Sequence, residues 1–245
     1  IQANGGAMRA AAAKGRAVSL LNSGPAGGAT AAAFIGRLTG EEKIVSVDMG
    51  GTSFDISLIA DGLAHVTTDS MVEGYPVKIA MDDVCVIGAG GGSIGWTDRG
   101  GALNVGPQSA TAVPGPACYG RGGMQPTVTD ANLVLGRISP DYFLGGEIKL
   151  RKDLAQEAFR RTLCGPLGLS LEEAAYGVLR VVNANMGKGI VGKTVQRGYA
   201  LREFTLVAFG GAGPLHAVEL ATDLGMKRVL VPPFPGAFSA FGLLV

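Results

Sequence analysis

The chain is poor in charge, histidine and cysteine. Charged residues are 17% of its 245 residues, the formal net charge is +1, and there are two histidines and three cysteines. A near-neutral balance without a basic field argues against a nucleic-acid partner. Cys85, Cys118 and Cys164 are too few and too scattered for a disulfide framework or a zinc site, which favours a reducing, cytoplasmic compartment. No apolar run reaches the roughly 18 residues that a membrane span requires, so no membrane partner is predicted.

Glycine, in contrast, is abundant. The chain has 40 glycines, about 16% against a usual share of about 7%. They form clusters between apolar runs, for example at 27–28, 50–51, 90–92 and 210–213. Such clusters are typical of a backbone that a phosphate approaches closely, and equally of a scaffold with many sharp turns. The length is enough for one large domain or two small lobes.

The clearest motif is a short turn between two β-type runs. The runs Ile44–Met49 and Phe54–Ala60 flank the four residues Gly50, Gly51, Thr52 and Ser53, with Asp48 and Asp55 at the two shoulders. Backbone N–H groups without a nearby Cβ, together with two hydroxyls, can bind phosphate oxygens, and the carboxylates can hold Mg²⁺. A strand–turn–strand of this kind is typical of actin-like and sugar-kinase-like ATPases. The alternative is an ordinary hairpin whose aspartates only cap turns.

A second glycine-rich turn lies near the end of the chain. The pattern predicts a strand at 204–209, a helix at 214–224 and a strand at 228–231, which favours a parallel region with a ligand near the strand's carboxyl end. The turn contains Gly210, Gly211 and Gly213, which leave room for a flat ring or a sugar; the alternative is close helix–strand packing. His216 is interpreted as a structural hydrogen-bonding residue.

Four helices are predicted elsewhere. One covers 26–37 and ends near Gly40, with Ser23 as its cap, and short or charged helices follow at 129–136 and 152–163. The capping box at 170–173 opens the longest helix. Asp130 and Asn132 either line a polar cleft or cap the helix in which they lie.

Residues 90–95 satisfy the G-x-G-x-x-G pattern of dinucleotide-binding proteins. The fingerprint also requires a helix that begins at the glycines and an acidic residue about 20 positions later. Turn residues follow Gly95 instead, so a loop that approaches a ligand or an interface is favoured over a Rossmann oxidoreductase.

Several stretches together resemble the hydantoinase A / 5-oxoprolinase family over nearly the whole chain. They are Ser23-Gly-Pro-Ala-Gly-Gly28, Asp48-Met-Gly-Gly-Thr-Ser-Phe-Asp55, Ile87-Gly-Ala-Gly-Gly-Gly-Ser93, Val105-Gly-Pro-Gln-Ser109, Pro114-Gly-Pro-Ala-Cys-Tyr-Gly120, Pro126-Thr-Val-Thr-Asp-Ala-Asn132, Ala208-Phe-Gly-Gly-Ala-Gly-Pro-Leu-His216 and Pro235-Gly-Ala-Phe-Ser-Ala-Phe-Gly242.

The resemblance implies an α/β fold of the actin-like ATPase (ribonuclease H-like) type, a mixed sheet with flanking helices. The family includes ATP-dependent hydantoinases, 5-oxoprolinase and the acetone and acetophenone carboxylases. It implies ATP and Mg²⁺ as cofactors, and phosphorylation of an amide, lactam or ketone oxygen before hydrolysis or carboxylation. We expect a hydrolase of cyclic amides of the hydantoin or 5-oxoproline type. The alternatives are a ketone carboxylase subunit and a non-catalytic ATP-binding module.

The resemblance also assigns roles to the two turns. Asp48 and Asp55 would be the catalytic and metal-binding residues, and Gly50, Gly51, Thr52 and Ser53 would hold the transferred phosphate. Gly210, Gly211 and Gly213 would meet the adenosine. The expected partner is a hydantoinase B-type subunit or fused domain, in an oligomer.

The sequence departs from the family pattern in one respect, which is that it contains one Asp–Gly-Gly-Thr phosphate loop and not two. The family has a further Asp-Gly-Gly-Thr phosphate loop in an amino-terminal domain, and actin-like sites close between two lobes. The chain begins with Ile1 rather than Met and stops in an apolar run at 242–245. We therefore expect residues 1–245 to be a fragment of the hydantoinase A domain, without the amino-terminal lobe and the carboxyl-terminal region, and with weak ATPase activity alone.

Overall fold

In the computed structural model, which describes residues 1–72 and 74–245, the two runs of the central motif are strands with the predicted bounds. They are β1 (Ile44–Met49) and β2 (Phe54–Ala60). The other strands are β3 (Leu63–Ala64), β4 (Val66–Thr67), β5 (Ser70–Val72), β6 (Tyr75–Val77), β7 (Met81–Asp82), β8 (Cys85–Ile87), β9 (Ser93–Thr97), β10 (Leu103–Ser109), β11 (Thr205–Phe209) and β12 (Arg228–Leu230).

In the chain, the helices precede β1, separate β10 from β11 and β11 from β12, and follow β12. They are α1 (Ala10–Gly15), α2 (Ser23–Thr39), α3 (Val128–Val134), α4 (Lys152–Phe159), α5 (Gly165–Leu167), α6 (Leu171–Val195), α7 (Gly213–Asp223) and α8 (Phe238–Phe241). A wide helical turn, Arg160–Cys164, joins α4 to α5.

The chain divides into two units. Unit 1 comprises Ile1–Asp48, Asp55–Val86 and Gly189–Val245, and its sheet has the strand order β12-β11-β1-β2-β3, with β8 paired to β2. β11 is parallel to both β1 and β12, whereas β3 is antiparallel to β2. The sheet is therefore mixed. Its core is formed by alanines of α2 packed on strand residues such as Ile44, Ile59 and Val207.

Unit 2 comprises Met49–Phe54 and Ile87–Lys188. It contains the antiparallel pair β9–β10, in which Leu103 lies opposite Thr97, and the helices α3 to α5 with most of α6. A Cβ on Gly95 of β9 would come within 2.9 Å of Val178 and 3.2 Å of Leu163. The glycine therefore lets β9 lie directly on the buried side chains of the helical layer.

Most predicted elements are confirmed, including the capping box in which Ser170 and Glu173 bond reciprocally at the start of α6. The cap predicted at Ser23 is wrong: α2 already includes Ser23, and Asn22 precedes it in the left-handed region. The helix does end at Gly40, whose φ is +74°. The GxGxxG stretch opens no helix, because β9 begins at Ser93.

Cys85, Cys118 and Cys164 are free cysteines, and Cys118 is buried. In the part of the chain that the structure describes, no helix combines the length and the apolar character needed to cross a membrane.

Candidate functional site

Asp48 lies near the carboxyl end of β1 and is half-buried. Its Oδ2 accepts a hydrogen bond of 2.7 Å from the hydroxyl of Ser239. Burial raises the pKa of Asp48 above its ordinary value, and the hydrogen bond from Ser239 acts in the opposite direction. The hydrogen bond from Ser239 thus holds one oxygen of the carboxylate in place and favours its charged form, which burial disfavours.

The second glycine-rich turn lies at the same edge of the sheet in unit 1. β1 and β11 are parallel, and Asp48 pairs in register with Phe209, the last residue of β11. The turn follows at once, and Gly213 is the first residue of α7. The structure thus brings Asp48 and the 210–213 turn to neighbouring strand ends, where the amino terminus of α7 favours an anionic group.

The glycines of this turn have different physical roles. Gly210 has φ +80°, a conformation that other residues rarely adopt, and its N–H donates to the carbonyl of Pro235 at 3.0 Å. Gly211 has no such requirement: its φ is not positive, and a Cβ there would meet nothing within 4 Å. The space in front of Gly211 is therefore open to a ligand.

The predicted phosphate turn belongs to unit 2, where a second loop supports it. The N–H of Gly91 donates to the carbonyl of Gly50 at 3.0 Å, and the N–H of Gly92 donates to the carbonyl of Gly51 at 2.7 Å. A Cβ on Gly90 would lie 2.5 Å from the carbonyl carbon of Gly51. The 90–92 cluster is thus required by its close contact with the turn.

These contacts orient the peptide groups of the turn. In a trans peptide the N–H points away from the preceding C=O, so the N–H groups of Gly51 and Thr52 face away from the 90–92 loop. Gly50, Gly51 and Thr52 are exposed. Neither glycine is among the described residues with positive φ, and a Cβ on either would meet nothing within 4 Å. The turn is therefore exposed, and the space beside its two glycines is open.

The remaining candidate residues differ in their surroundings. Asp130 is fully buried and its carboxylate accepts hydrogen bonds from the N–H groups of Ala117, Cys118 and Thr127. Of its two predicted roles, the cap is therefore the one the structure supports. His216 is fully buried on the first turn of α7, and Asp55 is half-buried at the second position of β2.

Sequence reasoning missed two contributors. The supporting role of residues 90–92 could have been suspected from three adjacent glycines followed by Ser93, whose Oγ accepts from the N–H of Gly90 at 2.9 Å. Ser239 had no local signal, because it lies 191 residues from Asp48 in the sequence.

The described side chains near the two turns supply carboxylate oxygens for a hard cation such as Mg²⁺, but not a complete set of protein ligands. Within residues 1–72 and 74–245, no three His, Cys, Asp or Glu side chains converge on a possible metal position. Mg²⁺ is commonly bound through one or two carboxylates, with phosphate oxygens and water as the remaining ligands. The orientated carboxylate of Asp48 fits that mode of binding.

Comparison with known proteins identifies a matching family and similar proteins. The family model described as hydantoinase/oxoprolinase matches residues 1–245. Caprolactamase subunit alpha of Pseudomonas jessenii is 43% identical over 244 residues, which cover 100% of this chain and 35% of that protein. 5-Oxoprolinase 1 of Arabidopsis thaliana is 38% identical and covers 90% of this chain and 19% of its own length.

Two solved structures have a closely similar fold. Nucleotide-free acetone carboxylase, from a study of ATP-dependent acetone carboxylation, superposes with TM-score 0.89 at 33% identity and covers 99% of this chain and 34% of that one. The ATP-dependent caprolactamase of Pseudomonas jessenii superposes with TM-score 0.85 at 44% identity and covers 93% of this chain and 33% of that one. The chain thus spans about a third of the length of these relatives, and the predicted α/β fold with a mixed sheet is confirmed.

Proposed function

The chain belongs to the hydantoinase/oxoprolinase family, and on that premise we propose that it is the phosphate-binding part of an ATP-dependent hydrolase of cyclic amides. The observation that carries the proposal is the exposed turn at residues 50–53. The carbonyls of Gly50 and Gly51 accept hydrogen bonds from the 90–92 loop, so the N–H groups of the same two peptides point away from that loop. Preorganised N–H donors of this kind stabilise the charge of a phosphoryl group during transfer.

The proposed roles follow the chemistry of each group. The N–H groups of Gly51 and Thr52, with the hydroxyls of Thr52 and Ser53, hold the oxygens of the transferred phosphoryl group. Asp48 and Asp55 hold Mg²⁺, which when bound neutralises phosphate charge. Gly210, Gly211 and Gly213 lie against the adenosine, in an actin-like arrangement. Transfer of the phosphoryl group from ATP to the amide oxygen releases ADP and makes the amide carbon more reactive toward water. After water adds, the ring C–N bond breaks with the nitrogen leaving as the protonated amine, and a second water releases phosphate from the acyl phosphate.

The substrate class rests on the relatives. Caprolactam and 5-oxoproline are both cyclic amides, and the proteins named for them are 43% and 38% identical to this chain. Several relatives are named as subunits, among them the acetophenone carboxylase gamma subunit. We therefore propose a hydantoinase B-type partner, separate or fused, in an oligomer in the cytoplasm.

A ketone carboxylase is the second candidate. The specific observation in its favour is the superposition on acetone carboxylase, which covers 99% of the chain. An activated enolate, rather than an activated amide, would then be the product of phosphoryl transfer.

The test is coupled ADP release by the full-length protein with its partner, in Mg²⁺. Hydantoins, 5-oxoproline, caprolactam, acetone and acetophenone are compared as substrates, with bicarbonate added for the ketones. We expect a cyclic amide to stimulate ADP release. Stimulation by a ketone and bicarbonate alone would replace the hydrolase with the carboxylase.

The variant Asp48→Asn tests the site itself. It keeps the size of the side chain and removes the charge, so we expect ADP release to fall by about 100-fold or more. The matched control is Asp223→Asn, an exposed aspartate at the end of α7. Unchanged turnover in a correctly folded Asp48→Asn protein would favour a non-catalytic ATP-binding module.

A further inference from the structure

The contact between Ser239 and Asp48 joins two motifs that are distant in sequence. The hydroxyl of Ser239 donates to Oδ2 of Asp48 at 2.7 Å, the usual length of a hydrogen bond between two oxygens. In the described part of the chain, Oδ1 of Asp48 accepts no hydrogen bond. One oxygen is therefore held and the other is left available to a ligand.

Aromatic packing holds the segment that carries Ser239. Phe238, its neighbour in α8, lies 4.9 Å from the ring of Phe209, and Phe209 is the register partner of Asp48. Phe241, one turn further along, packs edge-on against Phe34 of α2 at 5.6 Å. The hydroxyl is thus placed by side chains that are anchored in both the sheet and α2.

Two glycines of α2 make room for this placement. A Cβ on Gly27 would lie 2.7 Å from the carbonyl oxygen of Ser239. A Cβ on Gly28 would lie 3.2 Å from the Ser239 hydroxyl and 3.0 Å from the Phe209 ring. Because these two residues of α2 have no side chain, α8 can approach closely enough for Ser239 to reach Asp48.

We propose that Ser239 is a positioning residue for Asp48, whose carboxylate it holds in the orientation that phosphoryl transfer uses. The inference rests on the proposed function. Catalytic groups act efficiently only when neighbouring residues lock their geometry, because a small misplacement weakens the interactions made in the transition state.

The first experiment is steady-state ADP release by the full-length protein with its partner, using Ser239→Ala. We expect kcat to fall about tenfold with KM for ATP changed less than about twofold, because only the orientation of Asp48 is lost. Ser239→Thr keeps the hydroxyl and should recover most of kcat. The control is Thr222→Ala, which removes an exposed hydroxyl that donates to the carbonyl of Val218 within α7.

The second experiment needs no nucleotide and covers the case in which threonine does not fit beside Gly28. Ser239→Ala, Asp48→Ala and the double variant are compared by urea unfolding. A coupling of about tenfold in the unfolding equilibrium constant is expected for a hydrogen bond to a charged group.

The outcomes separate the two proposals. An active wild type with a normal kcat in Ser239→Ala overturns the positioning role, whatever the stability coupling. Additive effects on unfolding overturn the contact itself. Absence of ADP release from the wild type, with the coupling intact, overturns the proposed function instead.

Discussion

Gly51 and Gly90 lie in contact within unit 2 and are glycines for different physical reasons. A Cβ on Gly90 would lie 2.5 Å from the backbone of Gly51 and Thr52, closer than atoms approach without displacing one another. A Cβ on Gly51 would enter open space. At residue scale, therefore, glycine at 90 is required by the packing of the loop against the turn. Glycine at 51 is not required by packing, and the space beside it can hold a ligand.

This difference predicts opposite behaviour for two alanine variants of the full-length protein. Gly90→Ala should lower the free energy of unfolding by about 2 kcal/mol, because the loop and the turn must separate. Gly51→Ala should leave stability nearly unchanged and weaken ATP binding about tenfold or more. Urea unfolding and isothermal titration with ATP measure the two effects. Wild-type ATP affinity in Gly51→Ala would contradict the phosphate role of the turn.

At the scale of elements, Asp130 determines how α3 begins and how the preceding turn is held. Its Oδ2 accepts from the N–H and the hydroxyl of Thr127, while the Thr127 hydroxyl accepts in return from the N–H of Asp130. The same carboxylate accepts from Ala117 and Cys118 in the 117–119 turn. One buried side chain thus joins two segments of unit 2.

Removing this carboxylate should be costly. Asp130→Ala leaves three buried N–H groups without their acceptor, and each such loss costs about 1 kcal/mol or more, so we expect a loss of about 3 kcal/mol. The matched control is Asp141→Ala, an exposed aspartate in the same unit. Urea unfolding measures both. A change below about 1 kcal/mol in Asp130→Ala would mean that water replaces the carboxylate at little cost.

At the scale of the whole molecule, the chain has large apolar side chains that stay exposed. A pocket of about 510 Å³ in unit 1 is lined by residues such as Phe34, Phe234, Phe241 and Leu244. Phe234 and Leu244 are 84% and 85% exposed. The low proportion of charged residues therefore corresponds to exposed apolar surface. The chain spans about a third of the length of its relatives.

The isolated chain is accordingly predicted to be a poor ATPase. Phosphoryl transfer requires charge stabilisation around the whole phosphoryl group, and the chain spans only about a third of the length of its relatives. We expect ADP release by the isolated chain to be at least about 100-fold slower than by the full-length protein. Cooperative thermal unfolding serves as the control for folding. Robust turnover by residues 1–245 alone would contradict the prediction.

Local chemistry in the sequence determined the elements that lie close together in the chain. Alternating and continuous apolar runs define β1 and β2 with their observed bounds, and the capping box at Ser170 marks the start of α6. The order of the family motifs was sufficient to predict the family and the α/β fold, because those signals are contained in short stretches of chain.

Only the tertiary structure decided the contacts between distant segments. The parallel pairing of β1 with β11 places the 210–213 turn beside Asp48, and packing of α8 on α2 brings Ser239 to the same carboxylate. The 90–92 loop is likewise joined to the 50–53 turn by backbone hydrogen bonds. Contacts between such distant residues depend on how the whole core packs. A local pattern of residues does not determine that packing.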